Sequence, residues 1–462
     1  MLEGIIVNKL FYRKLIASSL AMILFFSLFA GINKAEAETA IDVNASGAIL
    51  VDADTGMILY EKNSDTALGI ASMTKMMTEY LLLEAVKEGK VKWDQEYLVS
   101  PEISKMSHDD SLSNVYLRVE SKYKVEDLYA AMAIESANAA TMAIAEIVGG
   151  SEAKFVEMMN KKAAELGLEK YKFVNSTGLN NRDILKHLPE VVGDPDEENI
   201  MSAKDVASLA SHLIHDFPEV LKTSSIPEKV FAKGTEDEFV MDNWNWMLEG
   251  YEELAADYPN YQQFVYDGLD GLKTGSTPFA GYNFTGTAIR DGQRFISVVM
   301  NTGSQTERFR ETRKVLDYAF NNFKKEEIIP KHYQVKGKKT LPVIKGKEDQ
   351  VKVYTKEAVN LVVKNGEKDN FKTTLTLDKK KVNKQGELTA PIKKGEKVGT
   401  LTIQPKEAGN LGFLTKEGQI TVDVIAAADV EKANWFVLMM RGIGGFFGDL
   451  WGGISSTVKG WL

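Results

Sequence analysis

Four Ser-x-x-Lys pairs occur in this 462-residue chain: Ser72/Lys75, Ser121/Lys124, Ser151/Lys154 and Ser456/Lys459. A serine hydroxyl is a poor nucleophile until a base takes its proton. A partly desolvated, cation-flanked lysine one helical turn away can be that base. For any single pair the ordinary reading is an N-capping serine beside a solvated lysine. Ser72 differs in context, because it opens the apolar run Ser72–Glu88, in which Met73, Met76, Met77, Tyr80, Leu81 and Leu83 fall in helical phase. A helix starting there would also offer backbone N–H groups and a positive dipole end to a developing oxyanion.

Two rarer motifs select Ser72 from the four. Ser136-Ala137-Asn138 is the chain's only Ser-x-Asn and sits in an Ala-rich segment expected to be buried. Lys273-Thr274-Gly275 is the only Lys-Thr-Gly, in the strand-like run DGLKTGSTPFAGYNF. Lys273 and Thr274 supply a cation and a hydroxyl suited to a substrate carboxylate. Gly275 is expected to let substrate backbone approach the strand.

The elements that must position these groups read as mixed α and β up to about Lys325. Ala48–Tyr60 has a hairpin pattern with Asp54-Thr55-Gly56 as its turn. Leu128–Val148 reads as one buried helix, and Gly271–Met300 as strands with Asp291-Gly292 as a hairpin turn. Thr306–Phe323 is a further helix. Asn180–Asn199 and Lys233–Asn260 look like long loop insertions. From Ile329-Pro330 to about Ile425 the chain turns Lys-rich, with short β-prone runs (QVKVYT, AVNLVVKN, KTTLTL, GTLTIQP, QITVDVI) that predict a small all-β domain.

Composition narrows the chemistry. There is no cysteine, so disulfides, thiolate metal sites and cysteine nucleophiles are excluded. A formal charge of −9 gives no domain-wide basic surface for nucleic acid. His212-x-x-His215 lacks an evident third ligand, so no metal is expected, and no Gly-rich phosphate loop appears; no cofactor is called for. Lys9, Arg13 and Lys14 precede apolar Leu15–Ile32 and then Ala35-Glu36-Ala37, the pattern of a secretory signal peptide over residues 1–37. At the other end, Phe436, Met439, Met440, Ile443, Phe446, Phe447, Leu450 and Trp451 recur at three- and four-residue steps. Residues 429–462 are therefore expected to form an amphipathic helix lying on a membrane surface rather than spanning it.

The joint occurrence of S-x-x-K, S-x-N and K-T-G in this order resembles the penicillin-recognising active-serine enzymes. The segments ASMTKMMT, FVNSTGL (Phe173–Leu179), MSAKDVA (Met201–Ala207) and DGLKTGSTPFAGYNFTGTA resemble the low-molecular-weight D-alanyl-D-alanine carboxypeptidases. The likeness covers essentially the whole chain after the signal. Ala137 and Ala139 depart from the glycine and the acidic residue that many relatives carry. The resemblance implies an α+β catalytic domain over 38–328, with an antiparallel sheet and helices, then a small β domain over 329–428 and the anchor. It implies Ser72 as nucleophile, Lys75 as base and Ser136 as a proton relay to the leaving amine. Asn138 would bind Lys75 or a substrate amide, and Lys273 and Thr274 would hold the terminal carboxylate. The oxyanion hole would be Ser72 N–H and Ser276 N–H. The implied substrate is the peptidoglycan stem peptide ending in D-Ala-D-Ala, with β-lactams as covalent inhibitors, at the outer face of the cytoplasmic membrane. A β-lactamase and a wall-binding scaffold without activity are the competing readings; no efficient deacylation base is evident for the first, and a scaffold has no need of all three motifs.

Overall fold

Alternating apolar strands followed by helices with one apolar stripe must bury a sheet under helices, and the chain does so from Gly47 onward. The computed structural model describes residues 41–254, 256–406, 412–414, 420–436 and 438–439. The expected signal peptide and all of the expected anchor beyond Met439 lie outside the described residues. Five strands form an antiparallel sheet: β1 (Gly47–Asp52), β2 (Ile58–Lys62), β3 (Leu269–Thr277), β4 (Gly281–Arg290) and β5 (Gln293–Thr302). Their order is β3-β4-β5-β1-β2, so β3 is an edge strand.

Local chemistry sets the turns. Asp52 Oδ2 accepts a hydrogen bond from Thr55 N (3.1 Å), which closes the β1–β2 turn. Asp291 and Gly292 both take positive φ (51° and 73°), the geometry of a two-residue hairpin between β4 and β5. β1 is buried along its whole length because helices cover both faces. On one face lie α1 (Lys75–Lys87) and α3 (Ala203–Asp216), which share a core with Ile49, Val51, Ile296 and Val298. On the other lies α4 (Gln305–Asn322), where Phe284 meets Phe309 and Phe295 meets Phe320 edge to face. Ser202 and Ser304 cap α3 and α4, each accepting from a backbone N–H three residues on.

Helix α1 is the pivot of the catalytic domain. Met76, Met77, Tyr80 and Leu81 pack into the sheet-side core. Leu82 and Ala85 pack into a second, mainly helical core with Leu128, Ile134, Ala140 and Ile144. Each such aliphatic side chain buried contributes about 1.5–3 kcal/mol relative to exposure, so the first residue of α1 is held from all sides.

Three expectations need correction. Leu128–Val148 is not one helix. A helix over Val125–Ala130 continues as a π-turn over Ala131–Glu135, breaks at Ser136, and restarts as α2 (Asn138–Gly149). The break is conformational: Ser136 has φ 61°, a left-handed backbone that no right-handed helix accommodates. The second concerns the domain junctions. Phe323–Ile329 pairs with Val359–Lys364 of the β domain, ahead of the boundary at 329, and buried Val430 and Ala433 bond back to Ile392 and Lys345 rather than starting an anchor helix. Third, the two stretches expected to be loops contain structure: a short helix at Asn181–Leu185, and the hairpin Glu228–Phe231/Phe239–Asp242, which reaches into the second.

The β domain is a six-stranded sheet plus the pair Phe323–Ile329 with Val359–Lys364. All five β-prone runs read from the sequence are strands there, and they enclose a separate apolar core that includes Val351, Val353, Leu361, Leu401 and Val424.

Candidate active site

Ser72 does not open α1. It lies in a 3-10 turn, Ala71–Thr74, that leads into α1 at Lys75. At three residues per turn, side chains at i and i+3 eclipse, so Ser72 and Lys75 line up and Lys75 Nζ stands 2.9 Å from Ser72 Oγ. Ala71 holds a positive φ of 46°, and the turn is pinned by Ile70 N–H donating to Asn199 O (3.1 Å).

The Lys75 amine has two other neighbours, Asn138 Oδ1 at 2.8 Å and Thr177 O at 3.0 Å. Both are oxygens that only accept. The Asn138 orientation is fixed from behind, because its Nδ2 donates to Ser113 O (3.0 Å). Burial, with Lys273 nearby, lowers the Lys75 pKa well below the usual lysine value. A neutral amine placed so spends its two N–H bonds on Asn138 and Thr177 and leaves its lone pair facing the Ser72 hydroxyl. That is the geometry of a general base.

Thr177 was not among the residues singled out, although its segment was. The loop Phe173–Leu179 is held by two buried asparagines. Asn175 Oδ1 accepts from Thr177 N (3.1 Å) and Gly178 N (2.7 Å), and Asn199 Nδ2 donates to Thr74 Oγ1 (2.9 Å) and Asn175 O (2.8 Å). Gly178 (φ 85°) is obligatory, since a Cβ there would sit 1.8 Å from Ala71 O.

Strand β3 brings the third motif alongside. Lys273 Nζ donates to Ser136 Oγ (2.9 Å) and lies 3.2 Å from Thr274 O. Lys273 and Thr274 are buried, whereas Ser276 is exposed at the strand's outer end. Gly275 was expected to make room for substrate; the space is taken by the protein itself. A Cβ on Gly275 would lie 2.6 Å from Ile70 O, 2.9 Å from Met73 N and 3.0 Å from Ser72 N. The edge of β3 is thus pressed against the nucleophile turn, close to Ser72 N–H.

Charge is concentrated here. Burial lowers Lys273 to about 7, with the Arg308 guanidinium adding to the effect. Arg308, on α4, is itself buried, its Nε has no hydrogen-bond partner among the described residues, and burial lowers it to about 9. Two carboxyls act on Lys273: Glu79, which accepts from Tyr129 OH (2.7 Å), and Glu135, which accepts from Asp242 N (3.0 Å). Burial raises each to about 7. Sequence reasoning missed Arg308, because a basic residue in RFRETRK looks like part of a solvated helix face. The competing serines behave as the ordinary reading has it: Ser151 Oγ caps a helix by accepting from Lys154 N (3.3 Å), and Ser121 precedes a three-residue strand, Lys122–Lys124. Ser456 lies outside the described residues.

Residues 33–304 match the family of D-alanyl-D-alanine carboxypeptidases, more than half of the chain. The chain belongs to the D-alanyl-D-alanine carboxypeptidase family. It is a serine-type enzyme of that family, a low-molecular-weight penicillin-binding protein. Residues 323–432 match the C-terminal domain of penicillin-binding protein 5. The carboxypeptidase DacF of Bacillus subtilis is 32% identical over 326 residues, covering 71% of this chain and 74% of its own. DacC of Escherichia coli is 28% identical over 464 residues, 98% of each chain. Among solved structures, a peptidoglycan synthesis regulatory factor (PBP3) from Streptococcus pneumoniae superposes with a TM-score of 0.69 at 32% identity, covering 85% of this chain and 100% of that one. Penicillin-binding protein 5 from Haemophilus influenzae gives 0.63 at 27% identity, covering 85% and 99%.

Proposed function

We propose that this carboxypeptidase removes the terminal D-alanine from peptidoglycan stem pentapeptides through an acyl-enzyme on Ser72. The observation that carries the reading is the Lys75 amine, buried and held with its lone pair on Ser72 Oγ. Lys75 takes the Ser72 proton as Oγ bonds to the penultimate D-Ala carbonyl carbon. The oxyanion falls to Ser72 N–H and Ser276 N–H. The C–N bond then breaks, and the proton passes to the leaving D-alanine nitrogen through Ser136, which Lys273 holds. Water attacks the ester and restores Ser72. Asn138 orients Lys75. Lys273, Thr274 and Arg308, whose buried Nε has no hydrogen-bond partner among the described residues, form the cationic pocket for the substrate's terminal carboxylate. A β-lactam acylates Ser72 by the same steps, but its leaving amine stays tethered.

Export by residues 1–37 and attachment to the outer face of the cytoplasmic membrane by the C-terminal segment complete the reading. No described helix is long and apolar enough to cross a membrane, and Trp435, Phe436 and Met439 are exposed where the described chain ends. The test is mass spectrometry of the penicillin adduct with D-Ala release assayed on the same sample. A single adduct on Ser72 and D-Ala release, both lost in Ser72→Ala, are expected. Rapid penicillin turnover without D-Ala release would overturn the reading in favour of a β-lactamase.

A further inference from the structure

Residues 323–432 carry 23 lysines, no arginine and 15 acidic residues, a net +8 in a chain whose total is −9. A lysine ammonium is a compact, hydrated point charge, suited to diffuse attraction rather than bidentate recognition. Such a set suits an extended anionic surface better than one phosphate or carboxylate ligand.

The topology gathers many of these lysines at one end of the six-stranded sheet. Thr389 N–H donates to Lys381 O (3.1 Å) and Ala390 N–H to Ile344 O (3.0 Å). Ala433 N–H donates to Lys345 O (2.8 Å), and Lys394 N–H to Asp429 Oδ1 (2.8 Å). The turns over 378–394 therefore sit beside 344–347 and 429–433. Lys345, Lys379, Lys380, Lys384, Lys393 and Lys394 are all exposed there and have no ion pair among the described residues. Lys381 and Lys347 are paired with Glu396 and Glu431. Asp378 and Asp429 accept turn N–H groups from Lys380 and Lys394, Glu387 accepts from Asn383 Nδ2, and Glu348 and Asp349 are exposed beside Lys345, so this end carries nine lysines against seven acidic residues.

This end faces away from the catalytic domain. The β domain meets that domain through Gly412–Leu414, between the strands Lys397–Pro405 and Ile420–Ala426 and at their opposite ends: Ile58 N–H donates to Gly412 O (3.0 Å) and Leu414 N–H to Gly56 O (2.9 Å). The chain leaves the β domain from the lysine end, and the next described residues expose Trp435 (73%), Phe436 (53%) and Met439 (43%). Exposed aromatic side chains beside a field of lysines are the composition that settles at a lipid headgroup region.

We infer that this lysine-bearing end of the β domain docks on an anionic phospholipid surface, a contact separate from insertion of the C-terminal segment. The inference rests on the membrane attachment proposed above. Its effect is to hold the sheet end-on to the bilayer with the catalytic domain at the far side.

Flotation of the full chain with vesicles separates the two. Binding to purely zwitterionic phosphatidylcholine vesicles reports the apolar segment alone. The extra binding when phosphatidylglycerol is included reports the lysines and is lost at high salt. Replacing Lys379, Lys380, Lys384, Lys393 and Lys394 by Gln is expected to reduce that extra binding by about tenfold or more, with zwitterionic binding unchanged. Replacing Lys331, Lys336, Lys338 and Lys339, which precede the strand Thr340–Ile344, is expected to leave it largely intact. Equal losses in both sets, or no gain from phosphatidylglycerol, overturn the inference while leaving the apolar attachment standing. Absence of zwitterionic binding refutes the apolar attachment instead. If the five-residue variant binds anionic vesicles normally but loses affinity for purified anionic wall polymer, the surface belongs to the wall and the inference fails.

Discussion

At the scale of single residues, the proposed mechanism gives two buried amines different tasks. Proton abstraction needs Lys75 neutral; carboxylate binding needs Lys273 charged. On the acid side kcat/KM should therefore rise with pH as Lys75 loses its proton, and it should fall again as the pH passes about 7, where the free enzyme's Lys273 loses its own. Lys273→Arg keeps the cation and is expected to remove the alkaline fall at some cost in rate; an unchanged fall would assign that limb to another group. Stability follows with a definite sign. The folded pKa of Lys273 lies below its unfolded value of about 10.4. Between the two the unfolded chain binds more protons, so this contribution to stability rises with pH. Below about 7 the cost of burial is at its full value, and Lys273→Met should raise Tm most there, in a protein that has lost activity. Gly275→Ala tests the other contact. Its methyl must push β3 off the Ser72 turn, and penicillin acylation should drop by about a hundredfold while circular dichroism is preserved. Full acylation would show that β3 is free to yield. Ser72, Lys75, Ser136, Asn138 and Lys273 could be proposed from the sequence because each offers its own side-chain chemistry at a fixed spacing. Thr177 was not, since it acts through a carbonyl oxygen that every residue has.

At the scale of elements, the chain stops being helical where Ser136 meets Lys273 of β3. The sequence over Leu128–Val148 is uniformly Ala- and Met-rich, so its pattern predicts one helix. Nothing in it announces that Ser136 takes φ 61° and breaks the rod. That backbone costs a non-glycine residue roughly 1–2 kcal/mol, which the buried neighbours must offset. Ser136→Ala and Ser136→Gly both remove the hydroxyl and should both slow acylation. The glycine variant should be the more stable in urea, by about 1 kcal/mol. Equal stabilities would mean that the left-handed conformation carries no strain. Similarly, the 3-10 geometry of Ala71–Thr74 was not visible in an apolar pattern that fits helical phase from Ser72. Strands were easier, because β4 and β5 are β-prone runs joined by Asp291-Gly292, which leaves few other turn types.

At the scale of the whole molecule, the division of labour was readable from composition alone: a mixed α and β part with every motif, then a Lys-rich part with none. The junctions were not, since Phe323–Ile329 looks like a helix extension until its partner Val359–Lys364 is known. Every group of the site lies between Ser72 and Arg308, and the β domain has its own core. A chain ending at Asn322 should therefore keep its acylation rate and D-Ala release on a soluble peptide. Its Tm should be lower, because Lys325–Asp54 and the Gly412–Leu414 contact are lost. A collapse of acylation would make the β domain part of the catalytic unit.

The three neighbours of the Lys75 amine come from three distant stretches of chain, at Ser72, Asn138 and Thr177. In an extended chain Ser72 is an ordinary hydroxyl and Lys75 an ordinary ammonium, protonated at any physiological pH. Reactivity therefore exists only once all three stretches have closed on one nitrogen atom. On the proposed mechanism the enzyme is its own latch: a nascent or unfolded copy lacks the arrangement through which Ser72 would react with an antibiotic or a wall precursor.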